Sequence, residues 1–483
     1  MSTVVRVRIA PSPTGNLHVG TARTALYNYL YAKRYGGTYI LRLEDTDEER
    51  SNENYTRDIV EGLTWLGLTW DEGLEVGGPY PPYRQTEKID HYSTMANQLI
   101  AKGKAYLCYA TQEELATLKE EQKAANSAPR YDNRGRELSE VQRKHYQEAG
   151  RIPSVRFLVD EPQVVSWHDH VKGEIAIDTS DLGGDMVIVK SNGVAIYNFA
   201  VVIDDVDMKM SHVIRGEDHI HNTAKQLLIY EALEHKAPEF GHAPLIFDLE
   251  RQKLSKRKHG EAVHIDHYRV LGYMPEAIVN YLGQMSWTHP EGKEIYDLEE
   301  AAALFDLDKV SKSPAVFDLA RLNWFNSQYL RNLPLETIVE RAQPYLTAYD
   351  TSLYSKAELS QMVASVREGL TTLAEIGPAL SFYLTAELAV SDELKSSVLN
   401  SDNARKVLSS LSSTLASLPW GDHQGCKKAV DALGKELTLK GKDLYWPLRA
   451  ALSGKTQGPD LGAIISILGA ERVKSRLESA LNH

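Results

Sequence analysis

Hydrophobic and polar positions at the start of the chain follow two different periods, separated by a loop. Val4 to Ile9 is rich in β-branched residues that alternate with polar ones, which predicts a β-strand. From Thr21 to Tyr35 the apolar residues recur at helical spacing. Between them, Ala10 to Gly20 carries prolines and glycines without a period, which predicts a loop. His18 and Gly20 therefore lie where the first helix starts.

A loop that ends at a helix N-terminus is suited to binding phosphate. The first backbone N–H groups of a helix have no intrahelical partner, and the helix dipole is positive at that end. Gly20 would let a flat ring approach the backbone, and the imidazole of His18 can donate to a phosphate oxygen. A single His-x-Gly sequence is also common in plain helix-capping loops, so the pattern alone leaves both interpretations open.

The first half of the chain is predicted to be an interrupted parallel α/β sheet. Thr38 to Leu43 is predicted as a strand and Tyr55 to Leu66 as a helix. After a break rich in glycine and proline, a mixed segment with short strands extends to about Lys190. Ile196 to Ile203 and Val213-Ile214 are predicted as strands that return to the first sheet.

The second half is predicted to be helical. Tyr268 to Trp287 is predicted as one helix, the pattern stays helical from about Glu299 to the end, and Ala463 to Leu481 is amphipathic. The predicted organisation is a Rossmann-type α/β domain (1–77 and 191–240), an inserted module (78–190), a further module (241–324) and two helical modules (325–378 and 379–483).

Composition narrows the class of protein. The chain has 483 residues, enough for several domains, and a formal net charge of −12, which is unlike a broadly basic nucleic-acid-binding protein. A local basic stripe is still sufficient for phosphate contacts. Cys108 and Cys426 are the only cysteines, and no secretory signal or membrane-spanning apolar run is present, so we expect a reducing, cytoplasmic location.

A second motif, more than two hundred residues after the first, changes the interpretation of the loop. Lys253-Leu254-Ser255-Lys256-Arg257 places three cations within five residues. Together with His18-Val19-Gly20 it resembles the HIGH and KMSKS motifs of class I aminoacyl-tRNA synthetases. Further stretches are similar to the glutamyl and glutaminyl group (Leu41 to Asp47, Tyr197 to Asp205, His212 to Asp218) and to bacterial-type glutamyl-tRNA synthetases (Leu322 to Asn326, Pro447 to Gly454).

The resemblance implies a two-step reaction with ATP, L-glutamate and tRNA(Glu) as substrates. The glutamate α-carboxylate attacks the α-phosphorus of ATP, and the terminal ribose of the tRNA then attacks the glutamyl-adenylate. Such a reaction depends on placement and on cations over developing phosphate charge. We also expect Mg²⁺ to accompany the ATP and no membrane partner. Since the sequence has no coiled-coil heptads, we expect a monomer.

By match to the family, glutamate is expected to contact Arg8, Ala10, Ser12, Glu44, Tyr197 and Arg215, and ATP to contact Thr14, His18, Gly20, Lys253, Ser255 and Lys256. Arginine suits the two carboxylates, and Glu44 would take the α-ammonium. Without the resemblance, simpler interpretations stay open: Arg8 could pair with Glu44, Tyr197 could be core, and Arg215 could pair with Glu217.

Two departures from the family pattern concern zinc and one pocket position. Some relatives hold zinc in the inserted module through Cys-x-Cys and a later ligand pair, but here Cys108 is followed by Ala110, and the later positions are Gly135 and Glu137. One thiolate cannot build a four-ligand site, so we expect no zinc and no metal-binding residues.

The family often has a polar residue at Val201, so one pocket hydrogen bond is expected to be missing.

A third departure concerns the anticodon. Relatives that accept only the glutamate tRNA can carry an Arg-x-Arg pair on a helix, whose second arginine reads a cytosine. Here Arg367 stands at the first position and Gly369 at the second. This predicts an enzyme that also glutamylates tRNA(Gln), unless the glycine only marks a helix break or a close-packing position.

Three other functions remain as alternatives. A tRNA-independent, glutamate-activating paralogue would lack the helical C-terminal half. A glutaminyl-tRNA synthetase would usually end in β-barrel modules. A non-catalytic tRNA-binding protein would have no need of intact His18, Gly20, Lys253 and Lys256.

Overall fold

The computed structural model describes residues 4–47 and 49–482. The chain forms two compact units, Met1–Tyr268 with Ile278–Asp318, and Arg269–Ala277 with Leu319–His483. The strands are β1 (Arg6–Ile9), β2 (Thr38–Leu41), β3 (Glu72–Gly73), β4 (Ala105–Cys108), β5 (Ser154–Phe157), β6 (Val164–Asp169), β7 (Gly173–Asp178), β8 (Met186–Val189), β9 (His212–Gly216), β10 (Glu239–Ala243), β11 (Ile246–Phe247) and β12 (Ala315–Val316).

The helices of the chain before residue 305 are α1 (Val19–Arg34), α2 (Glu53–Trp65), α3 (Ile89–Ala101), α4 (Gln112–Ala124), α5 (Glu140–Glu148), α6 (Tyr197–Asp207), α7 (Ile220–Ala232), α8 (Lys256–His259), α9 (Ile265–Val270), α10 (Pro275–Gln284) and α11 (Leu298–Leu304). Those of the second unit after residue 318 are α12 (Leu319–Asn332), α13 (Leu335–Ala342), α14 (Lys356–Val366), α15 (Ile376–Leu384), α16 (Asp392–Leu394), α17 (Asp402–Thr414), α18 (His423–Glu436), α19 (Lys442–Ser453) and α20 (Leu461–Leu481).

The predicted parallel α/β sheet is confirmed. β1, β2 and β3 pair in parallel, with Arg8 opposite Ile40, and β9 pairs in parallel with β10. The backbone N–H of Ser211 donates to the carbonyl of Arg6 at 3.0 Å and links β1 to the residue before β9. The strands are short and almost wholly buried on both faces, as expected for a parallel sheet, although β1 and β9 carry the buried Arg8 and Arg215.

The segment between β3 and α6 is an α+β insertion, as predicted. β4, β5 and β8 form an antiparallel sheet of their own. The hairpin β6–β7 instead joins the strands of the first half, in the order β7-β6-β10-β9, through the parallel pair Phe240 and Asp169. The insertion therefore extends the sheet that carries β9.

The strand predicted for Ile196 to Ile203 is wrong, because this stretch forms helix α6. Its apolar run is buried continuously from Phe199 to Ile203. A short run that is apolar at every position has no period, and so it does not distinguish a buried strand from a helix buried on all sides. The strand predicted at Val213-Ile214 is confirmed as part of β9.

Two further predictions about helices are corrected, and a third is refined. The single helix from Tyr268 to Trp287 is interrupted between α9 and α10, where Gly272 has a φ of +78° and Pro275 starts the next helix. The helical pattern after Glu299 is broken by β12, which pairs with β11. The C-terminal helix α20 is confirmed, but Gly469 kinks it with a φ of 72°.

In the second unit, apolar faces of successive helices pack together. Leu448 on α19 and Ile464 on α20 are fully buried, as is Leu408 on α17. Helix starts are capped by side chains, with a Ser355–Glu358 capping box on α14 and Asp460 at α20.

Throughout the part of the chain that the structure describes, no helix combines the length and apolarity that crossing a membrane would need.

Candidate active site

A cavity of about 650 Å³ lies where the sheet strands end and helix α1 begins. Its wall includes Ile9 and Ala10 at the end of β1, Glu44 after β2, and Arg215 and Gly216 at the end of β9. Parallel strands place their carboxyl ends at one edge of a sheet, and in open α/β folds ligands bind in the crevice outside that edge. The cavity belongs wholly to the first unit.

His18 caps the helix at the floor of this cavity. Its Nδ1 accepts the backbone N–H of Gly20 at 3.0 Å, and its backbone is extended, as an N-cap requires. Burial, with smaller contributions from His264 and Lys253, lowers the pKa of His18 to about 4. The ring is therefore neutral near pH 7, and because Nδ1 accepts a bond, the proton is on Nε2. Nε2 is thus a neutral hydrogen-bond donor.

The lysine loop contributes to this cavity only in part. Lys253 and Leu254 belong to its wall, and the Lys253 ammonium lies 3.3 Å from the Asp218 carboxylate. Ser255 precedes the short helix α8, and its backbone N–H donates to Nδ1 of His259 at 3.2 Å. Lys256 is exposed and lies 4.0 Å from Glu261. The structure therefore places Lys253 at the cavity and does not place Ser255 or Lys256 in its wall.

Arg8 is held by a carboxylate that sequence analysis did not single out. Its Nε and Nη2 donate to the two oxygens of Asp205 at 3.1 and 3.2 Å, and both side chains are buried. Arg42 donates to the same Asp205 at 2.7 Å and to Glu44 at 3.2 Å. Burial alone would raise the pKa of Asp205, but the two arginines hold it below its usual range. The guanidinium of Arg8 is thereby fixed at the cavity wall.

Arg215 is a buried cation that donates hydrogen bonds to neutral groups. Nη2 donates to Thr223 at 2.6 Å and to Gln226 at 2.7 Å, and Nη1 donates to the Tyr197 hydroxyl at 3.3 Å. Its Nε donates to His242 at 3.3 Å. Burial lowers the pKa of Arg215. A buried charge is costly unless an ion of opposite sign compensates it, so this position favours an anionic ligand.

Glu44 is a buried carboxylate at the same wall. Burial raises its pKa, although Arg42 and Arg8 act in the opposite direction. A cationic group entering the cavity beside Glu44 would compensate its charge. Arg8, Arg215 and Glu44 thus lie together among the charged residues of the cavity wall.

The cavity gathers most of the predicted site residues. Its wall includes Arg8, Ala10, Ser12, Thr14, His18, Gly20, Glu44, Tyr197, Arg215 and Lys253. Sequence analysis missed Asp205, although it ends one of the stretches that carry the resemblance, and Lys190, a wall residue with no motif around it. The simpler pairings of Arg8 with Glu44 and of Arg215 with Glu217 are not formed, since Arg8 bonds Asp205 and Glu217 pairs with Lys172.

Val201 does not bear on the cavity. It is 1% exposed, lies in the apolar core with Phe199 and Ile203, and is absent from the cavity wall. A polar side chain at this position would lie in the core, so the missing hydrogen bond that we expected would not be a contact of the cavity.

The surroundings of Cys108 are aromatic. Its thiol lies 3.3 Å from the Tyr131 hydroxyl, and Tyr106 packs in the same cluster. At Gly135, a Cβ atom would lie 2.9 Å from both tyrosines. The position that bears a metal ligand in some relatives is therefore occupied by tightly packed rings, and this donor set does not fit a zinc ion.

The predicted anticodon position lies in the second unit. Arg367 and Gly369 form a single 3₁₀ turn after α14, so neither is inside a regular helix. The Arg367 guanidinium donates to the backbone carbonyls of Arg331 and Leu333. Gly369 is exposed and its Cβ would meet no atom within 4 Å. Close packing therefore does not explain the glycine, whereas its place just after the end of α14 agrees with the helix-break interpretation.

Comparison with known proteins agrees with this geometry. Residues 4–324 match the catalytic domain of the class I tRNA synthetases (E and Q), and residues 337–481 match an anticodon binding domain. The glutamate--tRNA ligase of Carboxydothermus hydrogenoformans is 44% identical over 99% of this chain and 100% of that protein. The corresponding ligase of Bacillus subtilis is 42% identical over 99% of this chain and 100% of its own length.

A solved structure covers the same length. The crystal structure of a glutamate tRNA ligase from Elizabethkingia meningosepticum, in complex with its amino acid, has a TM-score of 0.90 and 33% identity, and covers 99% of both chains. The resemblance inferred from the sequence motifs is thus confirmed. The chain belongs to the class I tRNA synthetases, in the group of the bacterial glutamate--tRNA ligases.

Proposed function

We propose that this chain attaches L-glutamate to tRNA(Glu) in an ATP-dependent reaction that passes through glutamyl-adenylate, and that it also glutamylates tRNA(Gln). The observation that carries the proposal is the single cavity in which Arg8, Arg215 and Glu44 share a wall with His18 and Lys253. One part of this set suits an amino acid with two carboxylates, and the other suits a nucleoside triphosphate.

The charges of the cavity match those of glutamate. Its two carboxylates face two arginines and its ammonium group faces Glu44. Arg8 binds the side-chain carboxylate, with Nη1 unused by any hydrogen bond among residues 4–47 and 49–482. Arg215 binds the other carboxylate, and Tyr197 closes the pocket with the hydroxyl that already contacts Arg215. Ser12 and the backbone of Ala10 line the same pocket.

ATP is assigned to the start of α1. Thr14, His18 and Gly20 meet the nucleotide, and the Nε2 proton of His18 donates to a phosphate oxygen. Lys253 stabilises phosphate charge from the cavity wall, and Lys256 reaches it when the loop with Ser255 moves toward bound ATP. Mg²⁺ enters with ATP, bound to the phosphates. The catalytic effect comes from placement and charge, since no enzyme nucleophile is needed.

The helical second unit is assigned to the tRNA. We propose 325–378 and 379–483 as its two anticodon-binding modules, 78–190 as the acceptor-stem module, 241–324 as the stem-contact module, and 1–77 with 191–240 as the catalytic domain. The match of residues 337–481 to an anticodon binding domain supports the helical part of this division. The exposed, side-chain-free Gly369 supports acceptance of both tRNAs, because it offers nothing to exclude a guanine.

The alternative enzymes fit less well. A tRNA-independent paralogue would end before the helical unit, but the anticodon-domain match extends to residue 481. A glutaminyl-tRNA synthetase would end in β-barrels, whereas the second unit is helical. Both cysteines are free and buried, which supports the cytoplasmic location, and a monomer is proposed with it.

ATP–pyrophosphate exchange separates these functions. The full chain is incubated with ATP and labelled pyrophosphate, with glutamate or glutamine, and with or without tRNA(Glu). We expect exchange with glutamate only when tRNA(Glu) is present, as in glutamyl-tRNA synthetases generally. Equal exchange without tRNA would indicate the paralogue, and exchange that requires glutamine would indicate a glutaminyl-tRNA synthetase.

A further inference from the structure

Two histidines and a glutamate meet at the opposite end of the sheet from the cavity. His212 begins β9, Glu239 begins β10, and His170 directly follows β6. We name these three residues the histidine cluster. Their side-chain nitrogen and oxygen atoms lie within 4.8 Å of one another. None of the three lines the cavity, and β9 alone separates His212 from Gly216 by roughly 13 Å at the usual rise of a strand.

The ligand atoms lie close enough together to share one small metal ion. Nε2 of His170 lies 2.9 Å from Oε2 of Glu239, and Nε2 of His212 lies 3.5 Å from the same oxygen. Around a tetrahedral ion with bonds of about 2.0–2.1 Å, neighbouring ligand atoms lie about 3.3–3.5 Å apart. The Glu239 side chain is exposed, so its carboxylate can shift to lengthen the shorter distance, and all three ligand atoms already lie within 4.8 Å of one another.

The hydrogen bonds of His212 fix its tautomer in the form that binds metals. The Ser211 hydroxyl donates to the carbonyl of Arg6 at 3.1 Å, so its oxygen is the acceptor for the Nδ1 proton of His212 at 2.8 Å. Nε2 therefore carries a lone pair. The Tyr31 hydroxyl now donates to it at 3.0 Å and is the group that would turn away when a metal binds.

His170 is arranged like a metal-binding histidine: one ring nitrogen faces the site, and the other donates to a carboxylate outside it. Its Nδ1 donates to Asp308 at 2.6 Å, while Nε2 points at Glu239. Histidine ligands of metals characteristically donate their second N–H to a carboxylate, as His170 does to Asp308.

We propose that the histidine cluster binds a divalent transition-metal ion, with zinc as the best match to two imidazoles and one carboxylate. Nε2 of His170, Nε2 of His212 and a carboxylate oxygen of Glu239 are the protein ligands, and water completes the tetrahedron. Because His170 belongs to the end of β6 and the other two residues to β9 and β10, the ion fastens the inserted hairpin to the sheet of the catalytic half. Its role is structural.

The proposed site differs from the expectation, based on the sequence, that the chain binds no zinc. That expectation depended on the cysteines of the insertion, and the aromatic packing around Cys108 still argues against zinc there. The histidine cluster was missed because its members come from three strands that are distant in sequence. No local spacing motif joins them, and only the parallel pairing of β6, β10 and β9 brings them together.

The test uses the full chain stripped of metal with a chelator and then dialysed against zinc chloride. Bound zinc is measured by elemental analysis, the melting temperature is measured with and without zinc, and cobalt is substituted for its absorption spectrum. Ligand variants are His170→Gln and Glu239→Gln. Matched controls are His168→Gln, an exposed histidine paired with Glu174, and Cys108→Ser.

We expect about one equivalent of zinc and a zinc-dependent rise in melting temperature for the unmodified chain and both controls. Both effects are lost in the ligand variants, and Asp308→Asn weakens zinc binding by about 10–100-fold. If a ligand variant fails to fold, the zinc affinity of Asp308→Asn, a change at an exposed residue, decides the test. The proposal is overturned if no zinc is retained, if the ligand variants bind it equally, or if His168→Gln or Cys108→Ser abolishes binding.

Discussion

The backbone N–H of Gly20 donates to Nδ1 of His18 at 3.0 Å, and this bond determines which ring nitrogen carries the proton. With Nδ1 occupied as an acceptor, the neutral imidazole has its proton on Nε2. The same bond caps helix α1. One side chain thus both orders the start of the helix and offers a donor beside the unpaired N–H groups there.

We predict that His18 does not titrate near neutral pH. Its pKa is lowered to about 4 in the folded protein from 6.5 in an unfolded chain, mainly by burial. As pH falls from about 6.5 toward 4, the unfolded chain binds the proton first, so His18 then disfavours the folded state. NMR titration of the histidine rings checks this, with His259, whose pKa is raised mainly by its bond to Asp248, as the comparison. A His18 midpoint at or above 6.5 would contradict it.

Replacing Arg8 is predicted to remove the preference for glutamate over glutamine. The glutamate carboxylate offers acceptors to a guanidinium that Asp205 holds in place, whereas a glutamine amide presents a donor to it. Discrimination based on such buried pairing can reach about 10⁴-fold or more. Steady-state charging by Arg8→Lys with both amino acids measures the loss. Arg6→Lys, on the same strand but outside the cavity wall, is the control.

If Arg8→Lys still charged glutamate normally and rejected glutamine, the assignment of the pocket would be wrong. A parallel loss in Arg6→Lys would point to a general disturbance of β1, because Arg6 pairs with Glu72.

Lys256→Ala is predicted to slow activation while leaving glutamate binding intact. The lysine acts on charge that develops in the transition state, so kcat falls by about 10²–10³-fold, more than KM rises. Lys258→Ala, an exposed lysine in the same short helix, is the control and should be near normal. Pyrophosphate exchange measures both. An active Lys256→Ala enzyme with only a raised KM for ATP would remove Lys256 from this role.

Gly369→Arg is predicted to reduce charging of tRNA(Gln) and to spare tRNA(Glu). The glycine is exposed, and a Cβ atom there would meet no atom within 4 Å, so a side chain can start at this position without a clash. A base contact of this kind contributes roughly 1–3 kcal/mol of discrimination. Both purified tRNAs are charged with glutamate by the two proteins. Strong rejection of tRNA(Gln) by the unmodified chain, unchanged in the variant, would refute the prediction.

Periodic patterns predicted the fold where one face of an element is buried. The first strand, helix α1 and helix α20 were found from alternation or helical spacing. Helix α6 was mistaken for a strand because its buried run has no period. The strand β12 is two residues long and exists only because β11 pairs with it, which no local pattern can show.

The candidate site was predictable in its residues but not in its contacts. The family motifs located ten residues that the structure gathers in one cavity. They could not show that Arg8 is held by Asp205 or that Arg215 donates to Thr223 and Gln226, because those bonds join β1, β9, α6 and α7 across the fold. The displacement of Lys256 from the cavity wall likewise depends on the conformation of a loop.

Direct charging is the measurement that tests the proposed function most closely. The purified chain is incubated with ATP, Mg²⁺, labelled glutamate and transcripts of tRNA(Glu) or tRNA(Gln), and label in the tRNA is counted before and after mild base, which cleaves the aminoacyl ester. We predict base-labile glutamate on tRNA(Glu), and on tRNA(Gln) as well, with none when ATP is omitted. No charging of tRNA(Glu), or charging only with glutamine, would contradict the proposed function.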